Sequence, residues 1–406
     1  MAPTTKKSWT VMVYMAGDNS LDPEGVKDLK EMKKVGSTDK LNIIAQFDRA
    51  AGHVARRYYL RKGGIITGDA VASLGTVNTG DPKQLSDFIQ WGLKDYPADH
   101  YLLVLWNHGQ GWDDTDIYAD ERFRSLRRLS TGSIRHAVFH TPVRRTMELA
   151  KRNMEYRAIL LDDNAKDFLD NHEMKNVLAN TAKLLKRNLD ILGMDACLMS
   201  MAEVGYQISG SADYTVGSEQ TEPGAGWPYN TILSVLAKNP DITPHDLSAL
   251  IVDKYLASYS ASDDVTFSAC DLSRASTLAN AVAGLAGALK TSLSDHTARQ
   301  RILSVRTQAQ NYEVTDNIDL VDFCLLMAKS GVSPAIATAC QNVINAVQSG
   351  YVTMQGYKGD NMKNSHGVAI YFPTQAVSPL YAGLDFSKKT GWDAFLKAYL
   401  AAVRSR

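Results

Sequence analysis

Short apolar runs of strand length alternate with helix-length amphipathic segments through the first half of this chain, and this alternation constrains the fold most. The predicted strands are residues 9–16, 41–47, 101–106, 189–194 and 214–217, and the predicted helices are residues 23–36, 81–96, 172–186 and 198–208. Parallel neighbouring strands need long crossover connections, which are usually helical. The pattern therefore predicts an α/β fold, with a mainly parallel sheet covered by helices on both faces.

The second part of the chain has a different pattern. From about residue 272 onward it is mainly helical, with one further strand predicted at 367–373, and its predicted helices are 272–290, 298–310, 334–349 and 390–404. We therefore expect an α/β domain over residues 1–271, followed by a mainly helical region over 272–406 that contributes the strand at 367–373.

Charge and cysteine content exclude several classes of protein. The 44 basic residues balance the 44 acidic ones, so no global charge favours nucleic acid or an anionic membrane as a partner. The four cysteines form no CxxC pair, which argues against a zinc site or a disulfide framework. No export signal and no apolar run of about 18 residues is present, and we expect a cytoplasmic protein without a membrane partner.

An arginine-rich segment at residues 116–157 interrupts the strand and helix pattern. Between Glu121 and Arg157 there are ten basic residues and three acidic ones. A polar insertion of this length in an α/β core is typical of an exposed element. Clustered arginine is also a signature of phosphate contact, but few aromatic residues interleave this run, which argues against nucleic acid.

Two predicted strands end in residues that are suited to nucleophilic catalysis. His108 and Gly109 follow the strand at 101–106, and Cys197 follows the strand at 189–194. If these strands are neighbours, both side chains emerge at the same edge of the sheet. His108 would then promote thiolate formation and protonate a leaving amine, while Cys197 attacks a carbonyl carbon. The amides of Gly109 and Cys197 are candidates for an oxyanion hole.

Five motifs, in order along the chain, resemble those of the clostripain family of caspase-like cysteine peptidases. They are YMAGDNSLD (14–22), WNHGQGW (106–112), DILGMDACLMSMAEV (190–204), EPGAGWPYN (222–230) and HGVAIYFP (366–373). The resemblance implies a caspase-like sheet flanked by helices, with the catalytic domain in residues 1–271. It also implies a His108–Cys197 dyad and endopeptidase cleavage of protein or peptide substrates after Arg or Lys.

The resemblance also implies an acidic pocket for the residue before the scissile bond. Asp195 matches a position that lines this pocket, and a carboxylate there pairs well with a guanidinium group. Asp18 is the second acid that we expect near the pocket, and Glu219 and Glu222 are further candidates. We expect no required cofactor and no metal site, with calcium only faintly indicated by Asp162 and Asp163.

Members of this family are typically made as zymogens and are cut between the catalytic histidine and cysteine. That interval contains the arginine-rich insertion, so an enzyme specific for arginine would find cleavage sites in its own chain. The cleavage candidates are Arg128, Arg135, Arg145 and Arg157. Self-processing and cleavage by a separate activating protease both remain open.

Two alternative functions also remain open. One is a binding or scaffold protein that keeps the caspase-like fold without turnover, and the other is a peptidase whose specificity is not basic. Electrophilic labelling of Cys197 separates a peptidase from a scaffold, and a peptide library separates the two specificities.

Overall fold

A computed structural model describes residues 5–113 and 159–404 of the chain. Thirteen strands and twelve α-helices are assigned within these ranges. The strands are β1 Lys7–Gly17, β2 Leu41–Arg49, β3 Ala55–Tyr59, β4 Ala70–Gly75, β5 Ala98–Trp106, β6 Ile159–Asp162, β7 Asp167–Leu169, β8 Leu189–Asp195, β9 Ala212–Gly217, β10 Thr266–Asp271, β11 Asn317–Asp319, β12 Val352–Tyr357 and β13 Ala369–Tyr371. The helices are α1 Asp22–Val35, α2 Pro82–Asp95, α3 Asn171–Leu185, α4 Ala202–Ile208, α5 Tyr229–Lys238, α6 Pro244–Ser258, α7 Ala275–Ser292, α8 His296–Gln308, α9 Leu320–Lys329, α10 Pro334–Ala346, α11 Asp385–Thr390 and α12 Trp392–Arg404.

Nine of the strands form one sheet in the order β12-β10-β9-β8-β5-β1-β2-β3-β4. The five central strands, β9-β8-β5-β1-β2, are parallel to one another, and antiparallel pairs extend the sheet at both edges. The α/β fold with a mainly parallel sheet is therefore confirmed. The predicted strand at 367–373 is shorter, at Ala369–Tyr371, and it pairs with β11 in a separate two-stranded sheet.

Alternating side chains of the central strands fill two hydrophobic cores, one on each face of the sheet. In β1, Met12 and Tyr14 belong to one core, whereas Val11 and Val13 belong to the other. This is the burial expected for a parallel sheet that is covered on both faces. Among the residues described, no helix has the length and apolar character that a membrane crossing requires.

Local sequence explains where several of the covering helices begin. The side chain of Asp81 accepts a hydrogen bond from the Lys83 amide at the start of α2. Asp170 and Glu173 form a reciprocal capping box at the start of α3. Such caps satisfy backbone amides that the first helical turn leaves without partners.

Candidate active site

The two strands that carry the predicted dyad are neighbours in the sheet. β5 and β8 pair in parallel, with Trp106 opposite Asp195. The Asn107 amide continues the pairing by donating to the Asp195 carbonyl oxygen at 3.2 Å. His108 and Cys197 therefore both leave the sheet at its carboxyl edge, where the sites of parallel α/β proteins form.

Close backbone packing joins the two segments just beyond the strand ends. A Cβ atom built on Gly109 would lie 2.8 Å from the Ala196 Cβ and 2.8 Å from the Cys197 carbonyl oxygen. Only glycine permits this approach. Gly109 follows His108 directly, so the packing brings the imidazole and the thiol to the same small region of the surface.

The Cys197 thiol is covered in this structure. Cys197 is 6% exposed, and the Glu222 amide donates to its Sγ at 3.2 Å. Burial and the charge of Glu222 raise the pKa of the thiol to about 12. Cys197 is therefore a neutral thiol near pH 7, and it forms no hydrogen bond with His108.

The His108 imidazole lies next to the loop between β1 and α1. Its Nε2 lies 3.3 Å from Ser20 Oγ, within hydrogen-bond distance. Burial lowers the pKa of the imidazole, and the charge of Asp163 opposes that shift. His108 is therefore neutral near pH 7, which is the form that accepts a proton from a thiol.

The turn that carries Cys197 is strained. Leu198, the next residue, has φ of 63°, a left-handed conformation that is uncommon for a branched side chain. Its amide donates to the Gln220 carbonyl oxygen at 3.1 Å, which fixes the turn against the next segment. Within the described part of the chain, the Gly109 amide has no hydrogen-bond partner, so it is available to a developing oxyanion.

A buried acidic cluster lies beside the thiol. It consists of Asp195, Glu222 and Asp28, which comes from α1. Tyr229 donates its hydroxyl proton to Asp195 Oδ2 at 2.7 Å, and Trp106 Nε1 donates to Asp28 Oδ2 at 2.7 Å.

Burial, together with repulsion between the carboxyls, raises the pKa values of the acidic cluster. Burial, opposed by the Tyr229 hydrogen bond, raises the pKa of Asp195 to about 7. Burial and then the Asp195 charge raise the pKa of Asp28 to about 9 and that of Glu222 well above its ordinary value. Among the described residues, no lysine or arginine forms an ion pair with any of these carboxyls. Glu222 interacts with the Asp195 carboxyl and the Ala196 amide, but neither of its buried oxygens has a donor at full hydrogen-bond geometry. The cluster thus has unused capacity for a cationic group.

Comparison with known proteins assigns the family. The model of the family described as "Clostripain family", Peptidase_C11, matches residues 13–128 and 147–399, which is most of the chain. The chain belongs to the clostripain family. It is therefore a cysteine peptidase that acts on peptide or protein substrates, and the predicted resemblance is confirmed.

Individual clostripain-family relatives agree with this assignment. Clostripain of Hathewaya histolytica is 26% identical over 90% of this chain and 74% of its own length. A secreted C11 cysteine protease from Bacteroides thetaiotaomicron, solved with an irreversible peptide inhibitor, has a TM-score of 0.65 at 21% identity and covers 95% of this chain and 100% of its own. An inactive zymogen C11 protease from Parabacteroides distasonis has a TM-score of 0.65 at 22% identity, over 95% of this chain and 99% of its own. These two structures share the fold.

The structure brings some of the expected pocket residues of this clostripain-family chain together and separates others. Asp195 and Glu222 are neighbours beside Cys197. Asp18 lies at the end of β1 and bonds to His53 Nδ1 at 2.8 Å. Glu219 accepts a hydrogen bond from the Tyr312 hydroxyl at 2.7 Å. Neither Asp18 nor Glu219 forms a hydrogen bond with the acidic cluster.

Sequence reasoning missed three contributors to the site. Asp28 lies in the middle of an amphipathic helix, where an acid usually faces solvent, and no motif marks it. Ser20 and Tyr229 do lie within the quoted motifs 14–22 and 222–230, so their proximity to the dyad was a usable signal. The four cleavage candidates, Arg128, Arg135, Arg145 and Arg157, are outside the described residues.

Proposed function

We propose that this clostripain-family peptidase cleaves after arginine or lysine, with Cys197 as nucleophile and His108 as general base and acid. The observation that supports basic specificity is the buried cluster of Asp28, Asp195 and Glu222 beside the thiol, without a cationic partner among the described residues. A guanidinium group that enters the cluster would ionise these carboxyls and pair with them. Such charge-assisted bonds are strong when water is excluded.

The dyad completes hydrolysis in two steps. His108 takes the proton from Cys197 Sγ, and the thiolate attacks the scissile carbonyl carbon. The amides of Gly109 and Cys197 stabilise the tetrahedral oxyanion. His108 gives its proton to the leaving amine, and an acyl-thioester remains on Cys197. A water molecule, deprotonated by His108, then attacks the thioester, which releases the carboxylic acid and returns the thiol.

The covered thiol supports a latent precursor. In the present conformation Cys197 and His108 are both neutral and share no hydrogen bond. The Glu222 amide instead donates a hydrogen bond to Cys197 Sγ. We propose that cleavage in the arginine-rich insertion at 116–157 permits the rearrangement that joins them. The family match omits residues 129–146, which supports reading that stretch as an added segment. Self-cleavage and cleavage by a second protease are the two routes.

A peptide library with one varied position before the scissile bond tests the proposal. Cleavage restricted to arginine and lysine is the expected result, and it should disappear in Cys197→Ala. Cleavage after asparagine or another neutral residue would instead support the alternative, a peptidase whose specificity is not basic. Absence of any turnover, together with absence of a Cys197 adduct, would favour the scaffold alternative.

A further inference from the structure

A short segment at residues 218–222 covers the candidate nucleophile and also carries one wall of the acidic cluster. Its backbone is fixed to the nucleophile turn at both ends. The Ser200 amide donates to the Ser218 carbonyl oxygen at 2.9 Å, and the Glu222 amide donates to Cys197 Sγ at 3.2 Å. A displacement of this segment would therefore change both the access to the thiol and the position of Glu222.

The Glu219 side chain fastens this segment to the C-terminal part of the chain. Glu219 is 1% exposed. Its Oε1 accepts the Tyr312 hydroxyl proton at 2.7 Å, and its Oε2 accepts from the Gly367 amide at 3.2 Å. Both partners lie more than 90 residues away along the sequence, so Glu219 bridges distant parts of the fold.

A second buried carboxyl shares the same hydroxyl. Asp319 Oδ2 lies 3.4 Å from the Tyr312 hydroxyl oxygen. Asp319 also accepts from the amides of Asp322 and His366, each at 2.6 Å, and bonds to His366 Nδ1 at 3.0 Å. Asp319 therefore has more hydrogen-bond donors than Glu219. Burial and then the Asp319 charge raise the pKa of Glu219 well above its ordinary value.

Gly367 anchors the other side of the bridge. Its carbonyl oxygen accepts from Ser200 Oγ at 2.9 Å and from Ser268 Oγ at 2.7 Å. Its φ is 93°, and a Cβ atom there would lie 2.8 Å from Gln355 Cβ. The peptide that holds Glu219 is therefore fixed against the turn behind the nucleophile and has little room to move.

We propose that Glu219 is a positioning residue for this peptidase. Together with Tyr312 and Asp319 it holds the 218–222 segment in place. Glu222 then keeps its amide hydrogen bond to Cys197 Sγ and its side chain beside Asp195. This inference rests on the proposed function for its effect on turnover. Its effect on the thiol is independent of any substrate.

The proposal predicts opposite changes in two rates. Loosening the 218–222 segment uncovers Cys197, so alkylation of the thiol becomes faster. The same movement takes Glu222 away from Asp195, so kcat/KM for an arginine substrate becomes lower, mainly through a higher KM. General destabilisation gives another pattern, because it also speeds alkylation of Cys324 and Cys340, which are buried in α9 and α10.

Four variants of the full chain test this proposal. Tyr312→Phe removes the shared hydroxyl and keeps the ring, and Glu219→Ala removes the carboxyl. Glu219→Gln is the conservative variant, because its amide mimics a protonated carboxyl. Tyr381→Phe is the matched control. Its buried hydroxyl donates to another glutamate, Glu203, at 2.8 Å, and forms no hydrogen bond with the 218–222 segment.

Iodoacetamide alkylation is followed at each cysteine by peptide mass spectrometry, and hydrolysis of an arginine amide reporter is followed in parallel. In Tyr312→Phe and Glu219→Ala, iodoacetamide should modify Cys197 about tenfold faster, and kcat/KM should fall about tenfold. This is the size of effect expected when one buried hydrogen bond is lost. In Glu219→Gln and Tyr381→Phe, both the Cys197 alkylation rate and kcat/KM should remain within about twofold of the wild-type values.

The proposal would be overturned if Cys197 were alkylated at the wild-type rate in both Tyr312→Phe and Glu219→Ala. It would also be overturned if Glu219→Gln were as impaired as Glu219→Ala. A wild-type chain that does not hydrolyse the reporter even after cleavage within residues 116–157 would count against the proposed function instead. In that case the alkylation rates still decide whether Glu219 holds the segment.

Discussion

Gly109 lies directly against Cys197: a side-chain carbon on Gly109 would be 2.8 Å from the Cys197 carbonyl oxygen. This contact joins the segment that carries His108 to the turn that carries the thiol. The parallel pairing of β5 with β8 brings the segments side by side, and the absence of a side chain at Gly109 lets them meet.

Gly109→Ala should therefore impair catalysis far more than folding. The added methyl group forces the His108 segment away from Cys197, and a displacement of about 1 Å at such a site costs roughly 10²-fold in rate. The measurement is kcat/KM on an arginine reporter, with urea unfolding in parallel. Gly284→Ala in α7, where a Cβ atom meets open space, is the control and should keep full activity. Full activity in Gly109→Ala would show that the contact does not position the dyad.

Asp195→Asn and Glu222→Gln should each reduce cleavage after arginine. Each change removes one carboxylate from the cluster, and loss of one partner of a buried charge pair costs about 3 kcal/mol, or roughly 10²-fold in kcat/KM. The effect should appear mostly in KM, since the reacting groups are unchanged. Glu203→Gln, a buried carboxyl bonded to Tyr381 instead, should leave arginine cleavage intact. Equal losses in all three variants would point to general damage rather than a specific pocket.

Stability should fall as pH rises, partly because of Asp28. Its pKa is about 9 in the folded chain, against about 3.9 in an unfolded one. Between these values the folded state holds a proton that the unfolded state has released, so the free energy of unfolding decreases with rising pH. The loss is about 1.4 kcal/mol for each pH unit per proton.

Urea unfolding at pH 5.5, 6.5 and 7.5 measures this slope. Asp28→Asn keeps an acceptor for Trp106 and removes the titrating group, so its slope should be shallower by about one proton equivalent. The exposed acid Asp253, changed to Asn, is the control and should keep the wild-type slope. A wild-type slope in Asp28→Asn would mean that Asp28 is already ionised in the folded chain.

Chelation of divalent cations should not affect turnover. The proposed mechanism uses only the thiol, the imidazole and backbone amides, and the described residues contain no cluster of side chains suited to a metal. The measurement is kcat/KM before and after treatment with EDTA. A loss of activity that added calcium restores would show that a cation is required.

The central strands of the sheet could be predicted from the sequence, because their hydrophobic pattern is clear. The predicted strands 9–16, 41–47, 101–106, 189–194 and 214–217 correspond to β1, β2, β5, β8 and β9. These are the strands buried on both faces, and they read as continuous apolar runs. The outer, antiparallel strands β3, β4, β10 and β12 were not predicted. They are partly exposed or carry polar residues, and so lack that signal.

The positions of the candidate site residues could be predicted where a residue lies next to a strand end, and less well elsewhere, while their catalytic roles stay a prediction. His108, Cys197 and Asp195 are close in sequence to the ends of β5 and β8, so local pattern sufficed to place them. Asp28 enters the acidic cluster from the side of α1, and that contact depends on how the helix packs on the sheet. Asp18 and Glu219 also follow strands, yet their hydrogen bonds go to His53 and Tyr312, because strand position does not determine the direction of a side chain.

Cleavage of the precursor should fall within the arginine-rich insertion. Mass spectrometry of the purified chain is expected to show fragments that end at Arg128, Arg135, Arg145 or Arg157. Cys197→Ala should remain a single chain if the enzyme cuts itself, and addition of active wild type should then cut it. Processing of Cys197→Ala alone would show that another protease makes the cut, and cleavage outside 116–157 would contradict the proposed activation segment.

Covalent labelling tests the central claim most directly. The chain is incubated with a peptide that ends in arginine and carries an electrophilic ketone in place of the scissile bond, and the modified residue is located by peptide mass spectrometry. We predict one adduct, on Cys197, which is absent in Cys197→Ala and forms more slowly in His108→Ala and Asp195→Asn. An adduct on another cysteine, or undiminished hydrolysis of arginine reporters by Cys197→Ala, would contradict the assignment of Cys197 as the nucleophile.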